Sequence, residues 1–185
     1  MLKEIEVDAE RRMKKSVESV THELAGIRSG KATPGLLDSV KVDAYGQKMP
    51  LNQVASVSVP DPKSLVVQPW DKSILGEVVK AIQKAELGFN PQAEGNIIRV
   101  PIPPLSEERR RELAKLCKKV AEEGKVAVRN VRRDANEQLK KAEKDKKVSE
   151  DELHKGTEIV QKLTDKYIKD IDTLVAAKEK EIMSV

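Results

Sequence analysis

From Ser106 to Lys147 the sequence contains no proline and a single glycine, Gly124. At about 1.5 Å per residue, one continuous helix over that stretch would be roughly 60 Å long. Helices in globular domains usually run only about 10 to 14 residues. Its apolar residues recur in threes and fours: Leu113, Leu116, Cys117, Val120, Ala127, Val131, Ala135, Leu139 and Ala142. That is the spacing of one helix face. A helix of this length has no core of its own, so the rest of the chain must supply partners along the whole stripe. On a wheel of about 100° per residue, Lys118, Lys125, Arg129 and Asn136 fall roughly opposite the stripe, with Arg132 and Arg133 beside them. Gly124 lies on the stripe at a cost of about 1 kcal/mol relative to alanine. Two accounts are open, a close helix approach and a flexible point.

Two more amphipathic helices are available as partners. Residues 2–29 carry Leu2, Ile5, Ala9, Met13, Val17, Val20, Leu24 and Ile27 at helical spacing, with Arg28 in the expected last turn before Ser29-Gly30. Ser149-Glu150-Asp151-Glu152 has the form of a capping box. It opens a last helix that runs to about Met183 through Leu153, Gly156, Val160, Leu163, Tyr167, Ile171 and Leu174. Three near-heptad stripes predict three helices packed almost antiparallel at shallow angles.

Residues 36–104 have a different pattern. Val40 and Val42, then Met49 and Leu51, flank Tyr45-Gly46-Gln47 as a hairpin. Strands follow at Ala55–Val59, ended by Pro60, and at Ser64–Gln68, stopped by Pro69. A helix spans Ser73–Glu86 with Gly88 near its C-cap, and Ile97–Val100 is a last strand. The expected fold class is therefore α+β: an elongated three-helix bundle made of residues 1–29 and 106–185, with a small β/α/β domain inserted at 31–104. Two connections tether the insert. They are expected to act as hinges at 30–34 (Gly30, Lys31, Ala32, Thr33, Pro34) and 101–105 (Pro101, Ile102, Pro103, Pro104, Leu105).

Lys+Arg 35 against Asp+Glu 31 gives a net charge of +4, and its distribution matters more than its size. Glu107–Lys147 holds 15 Lys/Arg and 9 Asp/Glu, a net of +6, which leaves −2 for the remainder. The positive charge is concentrated on the central helix, where Val128-Arg129-Asn130-Val131-Arg132-Arg133-Asp134 places three arginines on neighbouring turns. Lys118 and Lys125 extend the row. It reads either as a solvated face or as a grip on phosphate, for which the arginine fork is suited. Aromatic residues are 2% of the chain, which disfavours single-stranded nucleic acid bound by stacking. Folded RNA or a duplex backbone recognised by shape is the better target.

Catalysis finds no constellation. His22 and His154 stand alone on predicted helices, Cys117 sits on the apolar stripe, and no phosphate-binding glycine loop is present. No metal ligand set of usual spacing and no cofactor site is expected. No run of about 18 apolar residues could span a membrane. The single cysteine and an N-terminus unlike a signal peptide fit a cytoplasmic monomer. Trp70 is either a core anchor of the insert or an exposed partner contact. A helical adaptor or chaperone that binds proteins through the bundle is the rival reading.

Several strings go further. IRSGKATPGLLD at Ile27–Asp38, IRVPIPPLSEERR at Ile98–Arg110, VAVRNVRRDAN at Val126–Asn136, KVSEDE at Lys147–Glu152 and QKLTDKYI at Gln161–Ile168 resemble bacterial ribosome recycling factor over the whole chain. The resemblance implies an L-shaped molecule, a bundle and a β/α/β domain joined by a two-stranded hinge. It implies a translation factor, not an enzyme. That factor occupies the intersubunit space of the ribosome after termination and contacts large-subunit ribosomal RNA. With elongation factor G and GTP, it drives the subunits apart, so that messenger RNA and deacylated tRNA are released. Arg129 and Arg132 match the family's principal RNA-binding arginines, and Arg133, Arg28 and Arg110 match basic positions that add contacts. The insert matches the part that faces elongation factor G.

Overall fold

The computed structural model describes residues 1–184. Its helices, in chain order, are α1 (Leu2–Ala25), α2 (Leu75–Lys84), α3 (Glu107–Lys144) and α4 (Glu150–Met183). The chain divides into two compact units, one of Met1–Ser29 with Glu107–Ser184 and one of Gly30–Ser106. The larger unit is made of α1, α3 and α4, and α2 belongs to the smaller.

Side-chain pairs fix the register of the three long helices. Arg12 meets Asp134 and Val20 lies against Gly124, so α1 and α3 run antiparallel. Glu10 accepts from the Tyr167 hydroxyl and Glu181 accepts from Ser29, so α1 and α4 run parallel. Ser149 caps α4 in the capping box expected from its sequence. α3 passes unbroken through Gly124. A Cβ at that position would collide with Val20 Cγ2 and lie 3.3 Å from Ile171 Cδ1. Close approach of both neighbours, not flexibility, therefore accounts for the glycine. Gly156 does the same on α4, where a Cβ would stand 2.7 Å from Leu2 Cδ1 and 2.9 Å from Leu139 Cδ2.

The buried face of α3 is Leu113, Cys117, Val120, Ala121, Gly124, Val128, Val131, Ala135, Leu139 and Ala142. It differs from the predicted stripe at two informative positions. Leu116 is 42% exposed, whereas Val128 is wholly buried. A helix that packs against two neighbours buries a broad arc, and here the centre of the arc lies nearer Val128. α1 also ends earlier than its periodicity suggests, at Ala25, with the Gly26 amide turned back to His22 and Glu23. Arg28 thus lies beyond the helix and not in its last turn.

Tyr167 gives the bundle a pH limit. Burial of the ring, and then the hydrogen bond to Glu10, push its hydroxyl up to about 12. The folded state holds this proton more tightly than the unfolded chain, whose tyrosine titrates near 10. The resulting stability is complete below pH ~10 and is lost as pH rises through about 12. Tyr167→Phe should cost about 1 kcal/mol at pH 8. It should also flatten the fall in stability between pH ~10 and ~12 in urea titrations run across that range.

The smaller unit has a β1 (Lys41–Ala44), β2 (Gln47–Pro50) hairpin and a four-stranded antiparallel sheet in the order β3-β4-β6-β5. The sheet strands are β3 (Ala55–Asp61), β4 (Ser64–Pro69), β5 (Gln92–Glu94) and β6 (Ile97–Pro101). Val42, Leu65, Val67, Val78, Ile82, Ile98 and Val100 fill the core between the sheet, the hairpin and α2. Both chain connections to the larger unit are tied to one turn of this unit. The Ala32 amide donates to Pro62 O and the Ile102 amide to Lys63 O, each at 2.8 Å.

Candidate nucleic-acid interface

The basic row of α3 lies along the side of the helix that meets α4. It does not lie directly opposite the buried face. With Val128 and Ala121 counted, the row sits about 110° from the centre of the buried arc on an ideal wheel. Lys125 accordingly pairs with Asp172 of α4 and is only 21% exposed. Arg132 Nη1 donates to Gln161 Oε1 of α4 at 3.3 Å, and Gln161 Nε2 donates in turn to Asp165 Oδ1 at 2.9 Å. Arg129 Nη1 reaches back along α3 to Glu122 Oε1, also at 3.3 Å. Lys118 and Arg133 are exposed. Asn136 is half-buried within the row, and its Oδ1 has no hydrogen-bond partner among the described residues.

Asp134, the one acid amid the three arginines, does not neutralise them. It faces the opposite side of α3 and holds Arg12 Nη2 of α1 at 2.8 Å. The arginine row is left facing solvent with weak, long contacts. An exposed pair such as Arg129–Glu122 is worth about 0–1 kcal/mol, so a phosphate can displace the carboxylate at little cost. What results is a preformed ridge of guanidinium and ammonium groups held on a stiff rod.

Two of the candidate residues do not share this ridge. Arg110 precedes Arg129 by 19 positions, about 28 Å along the helix. It falls on the buried side of the first turn of α3, half-buried, with its Nε enclosed. Arg28, also half-buried, follows the end of α1 near the same end of the bundle. Glu122, Gln161, Asp165 and Asp172 complete the ridge, and periodicity does not identify them. Glu122 lies two turns before Arg129 on α3 itself, whereas only the α3–α4 register brings Gln161, Asp165 and Asp172 to the row.

The hinge candidates separate into two groups. Pro101 is the last residue of β6, Ile102 and Ala32 are buried and hydrogen-bonded to the Pro62–Lys63 turn, and Thr33 and Pro34 open a 3₁₀ turn at Pro34–Leu37. Gly30, with φ 83°, and Lys31, Pro103, Pro104 and Leu105 lie outside that hydrogen-bonded framework. Trp70 is 66% exposed, which excludes it as a core anchor. Beside it the Tyr45 hydroxyl donates to Asp71 at 2.7 Å. That bond raises the tyrosine's pKa and lowers the carboxylate's.

His22 and His154 are both exposed. Cys117 is fully buried, and desolvation pushes its thiol up, away from a reactive thiolate. Among the described residues no cluster of three His, Cys, Asp or Glu could hold a metal, and no helix is long and apolar enough to cross a membrane.

Comparison with known proteins gives concordant results. The family model described as "Ribosome recycling factor" matches residues 20–183. The ribosome-recycling factor of Symbiobacterium thermophilum is 59% identical over 185 residues, covering all of both chains. That of Halalkalibacterium halodurans is 56% identical over the same span. Among solved structures, the solution structure of the ribosome recycling factor matches with a TM-score of 0.76 and 48% identity, covering 100% of this chain and 98% of the other. A second match has a TM-score of 0.65 and 46% identity, covering 98% of both chains. It is described as models for the T. thermophilus ribosome recycling factor and the E. coli elongation factor G bound to the E. coli post-termination complex.

Proposed function

The chain belongs to the ribosome recycling factor family, and on that premise we propose that it disassembles the post-termination ribosome together with elongation factor G and GTP. As a member of this family it is a translation factor and not an enzyme. It enters the intersubunit space in the cytoplasm as a monomer and grips large-subunit ribosomal RNA through the α3 ridge. It carries the push of elongation factor G into separation of the subunits, with release of messenger RNA and deacylated tRNA. The observation that carries this reading is the ridge itself. Arg129 and Arg132 are held by weak contacts on the solvent side of a helix 38 residues long. Arginine forks suit phosphate, and a rod packed along its whole length transmits force without bending.

In this reading the smaller unit is the part that meets elongation factor G. The swivel between the units is confined to Gly30–Lys31 and Pro103–Leu105. Ala32 and Ile102 move with the smaller unit, because their amides are tied to its Pro62–Lys63 turn. Arg28 and Arg110 act as separate RNA contacts at the bundle end near the swivel.

Incubating the protein with post-termination ribosomes, elongation factor G and GTP should convert 70S particles to free subunits in a sucrose gradient. The protein should co-sediment with ribosomes in its absence. That affinity should fall steeply with salt, because each phosphate contact releases a counterion. Failure both to sediment with ribosomes and to split them would favour the rival adaptor. Binding insensitive to salt would move the contact from RNA to ribosomal protein.

A further inference from the structure

The three tethered cations of the ridge are not equivalent. Lys125 faces the carboxylate of Asp172, and Arg129 faces that of Glu122. Arg132 alone is held by an uncharged group, the amide of Gln161. The same amide passes a hydrogen bond on to Asp165, so its width separates the nearest α4 carboxylate in that chain from the guanidinium. Arg132 is therefore oriented without being neutralised. Its contact to a neutral acceptor fixes the fork while the full positive charge stays available. Arg129 and Lys125 must first give up a carboxylate partner before they can serve a phosphate.

We propose that Gln161 is the positioning residue that makes Arg132 the dominant phosphate grip of the ridge, acting as a neutral spacer between that arginine and Asp165. The proposal rests on the reading of the ridge as the RNA-binding face. Its requirement is chemical. The residue at position 161 has to carry no charge, and its hydrogen bond to Arg132 adds only orientation. Glutamate has the same length and shape and a similar helix propensity, and position 161 is exposed. The exchange thus alters charge while leaving packing alone.

The test compares Arg132→Ala, Gln161→Glu and Gln161→Leu by equilibrium binding to purified large ribosomal subunits over a salt series. The expected result is that Gln161→Glu weakens binding about tenfold at low salt and lowers the slope of log K against log salt by about one, as Arg132→Ala does. Gln161→Leu should leave the slope unchanged and weaken binding by no more than about threefold, because the charge on Arg132 is kept and only its tether is lost. Far-ultraviolet circular dichroism should be the same for all of them. Wild-type affinity in Gln161→Glu, with Arg132→Ala weakened, overturns the role of Gln161 and leaves the ridge in place. A loss in Gln161→Leu equal to that in Gln161→Glu also overturns it, since charge would then not be the cause. Wild-type affinity in Arg132→Ala removes the RNA-binding reading of the ridge itself.

Discussion

Valine in place of Gly124 is expected to destabilise the bundle by about 3 kcal/mol, the upper part of the range for overpacked cores. A bare Cβ there already collides with Val20 Cγ2, and the Ile171 Cδ1 atom waits at 3.3 Å on the other side. Neither neighbour gives way cheaply. Val20 is β-branched and has one strongly preferred rotamer in a helix, and Ile171 is fully buried. The helices would have to separate, and at this level α3 packs against both α1 and α4 at once. The transition followed at 222 nm should move down by roughly 10 °C. Alanine at the same position gains about 1 kcal/mol of helix propensity, so its net loss should be smaller. Gly76 supplies the contrast. It lies in α2 with nothing within 4 Å of a Cβ, so Gly76→Ala should hold or raise stability. Equal melting of Gly124→Val and wild type would mean that the helices are not in contact at this level.

Arg132→Ala is expected to weaken ribosome binding by roughly 10- to 100-fold, the effect of losing one well-held arginine contact. Subunit splitting should fall in proportion at limiting protein. Helicity and melting should stay as in wild type, because the side chain's hydrogen bond goes to the exposed Gln161 and the residue lies outside the buried face. Arg129→Ala should cost less, since its guanidinium is already partly neutralised by Glu122. Unchanged ribosome affinity in Arg132→Ala would remove the ridge from the function. The large subunit would then be held by other residues, with Arg28 and Arg110 at the far end of α3 the next to examine.

The long helices were legible because burial of one face leaves a 3.6-residue period in the sequence. The detail that periodicity could not supply was where the centre of that face lies. Leu116 and Val128 are both apolar, and only the presence of two neighbours on one side decides which is buried. This shift moved the arginine row from the back of the helix to the flank beside α4. Gln161 and Asp165 lie in a string singled out in the sequence, but nothing local joins them to Arg132, 29 residues away. β5 escaped notice because its three residues are all exposed and show no alternation. Of the two prolines expected to end strands, Pro69 is the last residue of β4, whereas Pro60 lies inside β3. Pro60 is on the sheet's edge strand, at a break in register between Ser58 and Asp61. Pro69 extends past Val67, where pairing with β6 ends, so its missing N–H costs no ladder bond on that side.

The Pro62–Lys63 turn, which receives both Ala32 and Ile102, has a consequence for how the bundle forms. α1 and α3 are separated in the chain by Gly26–Ser106, a loop whose closure would oppose their pairing. Once the smaller unit has folded, its two ends leave from adjacent residues of one turn. The 77 residues of Gly30–Ser106 then count, for closure, as a link of a few residues. On logarithmic loop scaling that saves about 2 kcal/mol of chain entropy when α1 meets α3. The insert thus works as a folded clasp for the bundle. Synthesis of the chain delivers it complete before α3 emerges.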